Sequence, residues 1–185
     1  VSSSDPVEAG IISSLARPGG NITGMSLIAT DLWPKRLELI KEILPKVSRV
    51  AIFWNKSNVG MAVEAKATKA AAGVLGVTLQ DRGVQDAGEI EVALQAMSKE
   101  RPDAFLALMD ISLRAHRKRI LDFLAKSRVP AIFESIDWTE VGGLMSYGAE
   151  RKDVIRRAAV QMDKILKGIK PADIPVDHPT EFGVV

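Results

Sequence analysis

The sequence predicts an α/β fold, a doubly wound parallel sheet accompanied by partial elements of a second lobe. From residue 49 to about 148, short β-branched and apolar runs alternate with longer segments of helical periodicity, the pattern of repeated βαβ units. The apolar runs are nearly unbroken, as in RVAIFW at 49–54, which indicates strands covered by helices on both faces of the sheet. Five such repeats amount to one complete lobe of about 100 residues.

Periodicity and chain breakers assign each element of this complete lobe. The helix at 87–100 places Ile90, Leu94 and Met97 on one face at helical spacing. Gly76 ends the alanine-rich helix that precedes it. In chain order, the predicted elements are a strand at 49–54, a helix at 62–75, a strand at 77–80, a helix at 87–100, a strand at 104–109, a helix at 112–126, a strand at 131–133, a short turn or helix at 136–141 and a strand at 144–146.

The two flanking stretches supply pieces that do not add up to a sheet of their own. Asp5 is placed to cap a helix at 6–16, in which Pro6 occupies the first turn, where proline is tolerated. The breakers in RPGGN end that helix. The remaining predicted pieces are a strand in NITGMSLI at 21–28, helices at 31–44 and 151–167, and an extended tail that closes with a strand in FGVV at 182–185.

Composition excludes several classes of protein. The 25 basic and 23 acidic residues leave a net charge of +2, so the chain lacks the concentrated basic face that nucleic-acid binding needs. The chain has no cysteine, which rules out disulfides, thiolate zinc sites and cysteine nucleophiles. No apolar run approaches the roughly 20 residues of a membrane-spanning helix.

The motifs give no support for an enzyme. An acidic residue after the third strand, Asp110, is reminiscent of receiver domains, but that chemistry needs acidic groups after the first strand and a lysine after the fifth. The sequence has Asn55 and Ser146-Tyr147-Gly148 at those places. GxGxxG, GxxxxGK[ST] and GxSxG are all absent. We therefore predict no catalytic residue, no metal site and no cofactor.

Small polar and acidic residues follow the predicted strands. In an open parallel sheet, ligands bind outside the carboxyl ends of the strands. Each residue also has a structural interpretation: Asn55, Ser57 and Asp110 as caps of the next helix, and Tyr147 as a core aromatic. The candidates in the complete lobe are Asn55, Ser57, Asp110, Glu134 and Tyr147.

Four segments of the chain carry a resemblance to a known family. They are DPVEAGIISSLARPGGNITGMS at 5–26, KRLELIKEILPKVSRVAIFWN at 35–55, GGLMSYG at 142–148 and MDKILKGIKPADIPVDHPTEF at 162–182. In this order they resemble the substrate-binding proteins of ABC transporters, in particular the tryptophan/tyrosine-type branch. The resemblance covers essentially the whole chain.

The resemblance implies a type I periplasmic-binding fold, in which two doubly wound lobes close on a small ligand through a hinge. It assigns 1–30 and 152–185 to a partial first lobe, 31–48 to a crossover helix and 49–151 to the complete second lobe. The first lobe would then contribute the ligand-binding candidates Ser3, Ser4, Asp5 and Ser26. Asp110 or Glu134 would pair with a ligand ammonium group if the ligand is an amino acid.

The resemblance also implies partners and a location. The partners are a small polar ligand and an ABC permease in the membrane, at a periplasmic or extracytoplasmic location, although the chain carries no signal peptide. The apolar faces of the helices at 6–16, 31–44 and 151–167 lead us to expect self-association. The alternative is a ligand-sensing domain of the same fold in a regulator or receptor, and a receiver-like or metabolic α/β enzyme is the third hypothesis.

Overall fold

The computed structural model describes residues 5–7, 10–27, 29–108 and 111–185. The chain divides into two compact units. The first unit comprises residues 1–30 and 149–183, and the second comprises residues 31–148 with 184–185. The chain therefore passes from one unit to the other at 30–31, at 148–149 and at 183–184.

The strands form one sheet in the order β2-β1-β3-β4-β5-β6. The pairs β1–β2, β1–β3, β3–β4 and β4–β5 are parallel. The last strand is antiparallel to β5, because Ser146 and Val185 exchange both backbone hydrogen bonds, at 2.8 and 3.0 Å. This topology confirms the predicted α/β fold class. The strands are β1 (Arg49–Asn55), β2 (Thr78–Val84), β3 (Ala104–Leu108), β4 (Ala131–Phe133), β5 (Met145–Ala149) and β6 (Phe182–Val184).

Helices alternate with the strands, as predicted. Two of them begin at side chains that accept a backbone hydrogen bond: Asn58 from Gly60 N, and Asp86 from Glu89 N. The helices are α1 (Ala29–Ile43), α2 (Val59–Val74), α3 (Ala87–Glu100), α4 (Ile111–Arg114), α5 (Arg117–Ser127), α6 (Ile136–Thr139) and α7 (Arg151–Leu166), with a 3₁₀ turn at Pro171–Asp173.

One face of this sheet forms a buried apolar cluster with the helices that cover it. Phe53 and Phe105 meet edge to face at 5.0 Å between ring centroids, and Phe133 stacks on Trp138 at 4.6 Å. Both arrangements are favourable geometries for aromatic pairs. Leu94 of α3 and Ile120 of α5 complete the same buried cluster. The core therefore reaches β4 and α6, at the edge where the polar residues follow the strands.

In the first unit, α7 packs through polar side chains. Arg157 donates to the buried Asp153 carboxylate at 2.8 and 3.0 Å and to Thr180 Oγ1 at 2.6 Å. Gln161 Nε2 donates to the Pro175 carbonyl at 3.1 Å. These contacts recur every four residues, so one polar face of the helix holds the 175–180 segment. Apolar side chains on its other faces are exposed: Ile155, Val160, Met162, Ile165 and Leu166.

The predicted helix at 6–16 is wrong for the residues that the structure describes, which form turns. Gly10 has φ of +69°, the left-handed conformation that ends a helical turn. Its N–H bonds back to Val7 O at 2.9 Å. Ser14 Oγ then accepts a hydrogen bond from Arg17 N at 3.0 Å, which is the local side-chain bonding by which serine competes with helix formation.

Other boundaries also differ from the predicted ones. Of the strand predicted at 21–28, the described residues keep one isolated bridge, Met25 with Asp177. The helix predicted at 112–126 is divided, because His116 N bonds back three residues to Leu113 O at 2.9 Å and α5 begins after it. Strands β2 and β5 run further than predicted, through Val84 and Ala149. Within the described part of the chain, no helix combines the length and the apolar character that crossing a membrane requires.

Candidate functional site

The polar residues of the second unit follow the carboxyl ends of its parallel strands. Asn55 is the last residue of β1, Glu134 follows β4 directly, and Tyr147 lies in β5. The register pairs Phe133 with Ser146, so Glu134 and Tyr147 are the next residues along two adjacent strands. The structure therefore brings Glu134 and Tyr147 together, with Asn55 at the same edge of the sheet.

Asn55 and Ser57 shape the loop after β1. The Asn55 Oδ1 atom accepts a hydrogen bond from Ser57 N at 2.9 Å, and Ser57 Oγ donates to Gln85 Oε1 at 3.1 Å. The cap of α2 is Asn58, whose Oδ1 accepts from Gly60 N at 3.0 Å. Neither Asn55 nor Ser57 is therefore the cap of α2, which is Asn58.

Glu134 is held on one side and unpaired on the other. Its Oε1 atom accepts a hydrogen bond from Trp138 Nε1 at 2.9 Å and lies 3.4 Å from Arg114 Nε. Its Oε2 atom is buried without a hydrogen-bond partner among the described residues. Burial raises the pKa of this carboxyl, against the Trp138 hydrogen bond and the positive charges of Arg114 and Arg36.

Arg114 is itself fixed by the loop after β4. One guanidinium nitrogen, Nη2, donates to Ser135 Oγ at 3.0 Å and to Asp137 Oδ2 at 3.2 Å. The same side chain therefore contacts Glu134 and Ser135 after β4 and Asp137 in the first turn of α6. This network fixes the orientation of the Glu134 carboxylate from the α4 side.

The backbone of β5 lies directly against Glu134. An ideal Cβ atom placed on Gly148 would fall 1.9 Å from the Glu134 carbonyl oxygen, so only glycine fits there. Arg36 of α1 donates from Nε to the Tyr147 carbonyl at 2.7 Å. The two strand ends are thereby fixed to each other and to α1.

Arg36, Glu64 and Trp33 form a buried cluster with two charged groups that the sequence analysis did not predict. Arg36 and Glu64 are 2% and 1% exposed. Glu64 Oε2 accepts from Trp33 Nε1 at 2.6 Å, and the Arg36 guanidinium lies 4.0 Å from the Trp33 ring centroid. Arg36 Nη1 and Glu64 Oε1 are both buried without a hydrogen-bond partner in the described part of the chain.

Burial dominates the ionisation of both charged groups. It lowers the pKa of Arg36 to about 10, although the charges of Glu134 and Glu64 oppose the change. It raises the pKa of Glu64 to about 7, although the Trp33 hydrogen bond and Arg36 oppose it. A signal was present in the sequence, because Arg36 lies at helical spacing between the buried Trp33 and Ile40. A charged residue on an apolar stripe is a candidate for a buried, functional group.

The candidates of the first unit form a separate group. Asp5 Oδ1 accepts a hydrogen bond from Val7 N at 2.8 Å, a turn contact. Ser26 is buried, and its N–H donates to Asp177 O at 2.9 Å. Ser3, Ser4 and Asp110 lie outside the described residues. Within the part of the chain that is described, no three histidine or acidic residues are arranged to hold a metal ion.

Comparison with known proteins identifies the family. The family model described as ABC transporter substrate binding protein matches residues 1–185, the whole chain. A curated relative, the "Tyrosine-binding protein" of Clostridioides difficile (strain R20291), is 25% identical over 182 residues, which are 98% of this chain and 52% of the relative.

Two solved structures have the same fold. A Streptococcus pneumonia ABC domain in complex with L-Trp is 26% identical, with a TM-score of 0.85, over 99% of this chain and 62% of that one. A conserved domain protein from Vibrio cholerae is 24% identical, with a TM-score of 0.87, over 98% and 60%. The chain thus spans between about half and three fifths of the length of these relatives. Because the family model matches every residue, the chain belongs to the ABC transporter substrate-binding protein family.

Proposed function

We propose that this chain is part of the solute-binding component of an ABC importer, and that its ligand is an aromatic amino acid. The observation that carries the proposal is the Glu134 carboxylate, which has one oxygen held by Trp138 and the other buried and unpaired. A ligand ammonium group satisfies such an oxygen with a charge-assisted hydrogen bond. The site lies where parallel α/β sheets bind their ligands.

The ligand class is supported by the relatives. One is named for binding tyrosine, and another was solved with L-Trp. Both amino acids carry an ammonium group, which Glu134 or Asp110 would bind. Tyr147 offers an aromatic side chain beside Glu134, and aromatic rings pack favourably against each other. Asn55 and Ser57 would contribute polar groups from the loop after β1.

The proposed mechanism is hinge closure. The two units are taken as the two lobes, and the three chain passages at 30–31, 148–149 and 183–184 as the hinge. Ser3, Ser4, Asp5 and Ser26 would supply ligand contacts from the first lobe. A ligand that contacts both lobes favours the closed state by its differential affinity. The closed protein would then deliver the ligand to its permease at the extracytoplasmic face of the membrane.

Glu134→Gln tests the ligand site. In the full-length gene product, this variant is expected to bind L-tryptophan and L-tyrosine about tenfold more weakly or worse at pH 7.5, because the charge that pairs with the ammonium is lost. The glutamine oxygen can still accept from Trp138 Nε1, so the melting temperature should change little. Isothermal titration calorimetry measures the affinity, with Glu140→Gln as the control because Glu140 is exposed nearby.

A ligand analogue separates the ammonium contact from other effects. Indole-3-propionate lacks the ammonium group of tryptophan, so it should bind wild type and Glu134→Gln with similar affinities. Equal losses for tryptophan and for the analogue would show that Glu134 does not contact the ammonium. Failure of the wild-type protein to bind either amino acid would reject the proposed ligand class.

Self-association through the apolar side chains of α7 is a further part of the proposal. Ile155, Met162 and Leu166 are 58%, 62% and 81% exposed and lie at helical spacing along α7. Grouped apolar side chains of this kind mark interaction surfaces, whereas single exposed ones do not. The chain of 185 residues is expected to form dimers or larger species at high concentration, and Met162→Lys with Leu166→Lys should shift it towards monomer. Multi-angle light scattering that shows a monomer of wild type throughout would contradict this.

A further inference from the structure

Arg36 carries a charge in a place where an apolar side chain would suit stability better. It is among the largest fully buried side chains of the second unit, and one of its nitrogens has no partner among the described residues. A buried ion is stabilising only when its pairing is nearly complete, and apolar replacements of similar volume are often neutral or favourable. The burial of this guanidinium therefore calls for a functional explanation.

The contacts of Arg36 lead to the ligand-site candidates. Its Nε atom donates to the Tyr147 carbonyl. Its Nη2 atom would lie 3.6 Å from a Cβ atom on Gly148, the same position that abuts the Glu134 carbonyl. The guanidinium thus lies at the junction of β4 and β5, behind the two residues that the proposed function places at the ligand.

We infer that Arg36 is a positioning residue of the ligand site: its buried guanidinium fixes the end of β5 and supplies the positive charge that favours an ionised Glu134. The inference rests on the proposed function for the ligand and on the geometry of the second unit for the rest. Arg36 does not contact the ligand, because its side chain is 2% exposed and covered by protein. It acts through the Tyr147 backbone and through the charge of Glu134.

The charged groups around Glu134 make this electrostatic role specific. Arg114 approaches Oε1 from α4, and Arg36 approaches from α1, both favouring the ionised carboxylate. The negative charge of Glu134 is also one of the causes that raise the pKa of Glu64 on α2. Asp137 is paired with Arg114. Removal of Arg36 would leave Arg114 as the single cation that opposes the effect of burial on Glu134.

The experiment is a pH profile of ligand affinity. L-tryptophan affinity of the full-length protein is measured by calorimetry from pH 5 to 8.5 for wild type, Arg36→Met, Arg36→Lys and the exposed control Arg119→Met. Affinity should rise with pH as Glu134 ionises. In Arg36→Met the midpoint of that rise should move up by about one pH unit, so that the loss of affinity approaches tenfold at pH values below the wild-type midpoint and is smaller above it. Arg36→Lys should keep the wild-type midpoint, because it keeps the charge.

A second measurement works without ligand. The titration of the Glu134 carboxyl, followed by ¹³C NMR in glutamate-labelled protein and assigned with Glu134→Gln, should move upward in Arg36→Met and stay in place in Arg119→Met. A midpoint and a carboxyl titration that both stay unchanged would overturn the inference, since a purely structural role weakens binding equally at every pH.

If Arg36→Met does not fold, the charge-retaining Arg36→Lys decides: a shifted midpoint in that variant overturns the inference. Absence of tryptophan binding by wild type would reject the proposed function, and the carboxyl titration would still decide the role of Arg36.

Discussion

Gly148→Ala is expected to destabilise the second unit by about 3 kcal/mol or more, at the upper end of what overpacking costs. The methyl group would fall 1.9 Å from the Glu134 carbonyl oxygen and 3.0 Å from its carbon. Both are backbone atoms, so no side-chain rotation relieves the clash. Strands β4 and β5 would have to separate, which breaks their ladder and moves Tyr147 away from Glu134.

Urea unfolding of wild type and Gly148→Ala measures this effect, with Gly73→Ala as the matched control. Gly73 lies inside α2 with nothing within 4 Å of an added Cβ. Alanine should therefore stabilise that helix by about 0.5–1 kcal/mol. Opposite signs for the two substitutions are expected. A Gly148→Ala protein as stable as wild type would mean that the two strand ends are not in contact in solution.

The sequence was sufficient for elements whose signal is local and strong. The unbroken apolar run before Asn55 and the periodic helix at 87–100 both match the structure closely. The helix at 6–16 failed because Gly10 and Ser14 make turn contacts that helical periodicity does not report. The extension of β5 through Ala149 was missed because its pairing partner β6 lies more than 30 residues further along the chain.

Only part of the candidate site was predicted, because only part of its signal is local in the sequence. A rule of position, that polar groups follow the strands of a parallel sheet, located Glu134 and Tyr147. It did not indicate that Trp138 and Arg114 orient the Glu134 carboxylate, because those contacts depend on how α4 and α6 pack. Arg36 and Glu64 were not predicted at all, because their burial depends on contacts between α1 and α2, such as the hydrogen bond from Trp33 to Glu64.

Glu64→Gln is expected to stabilise the second unit at pH 8, and by less at pH 5. Burial raises the pKa of Glu64 from 4.5 to about 7 in the folded protein, so the folded state holds more protons than the unfolded state between these values. Its contribution to stability is therefore greatest below about pH 4.5 and is lost as the pH rises through 7. The pKa difference corresponds to about 3 kcal/mol.

Glutamine keeps the favourable part of this arrangement. Its amide oxygen can accept the hydrogen bond from Trp33 Nε1, and it carries no charge at any pH. The substitution also removes a negative charge beside Arg36, which destabilises the folded state. This loss is smaller than the burial penalty that the Glu64 carboxylate no longer incurs, because burial is the largest influence on the pKa of both Arg36 and Glu64. The difference in unfolding free energy between variant and wild type should thus grow from near zero at pH 4.5 to a maximum above pH 7.

Urea unfolding at pH 5 and pH 8 tests this, with Glu38→Gln as the control. Glu38 lies on the exposed side of α1, where its pair with Lys35 is solvated, so its substitution should matter by less than about 0.5 kcal/mol at either pH. A Glu64→Gln protein less stable than wild type at pH 8 would mean that the attraction between the ionised Glu64 and Arg36 outweighs the burial penalty of the carboxylate. The guanidinium would then be neutralised by α2, and less of its charge would be left to favour an ionised Glu134. The stability of this variant therefore indicates whether the charge of Arg36 acts mainly on Glu64 or mainly on Glu134.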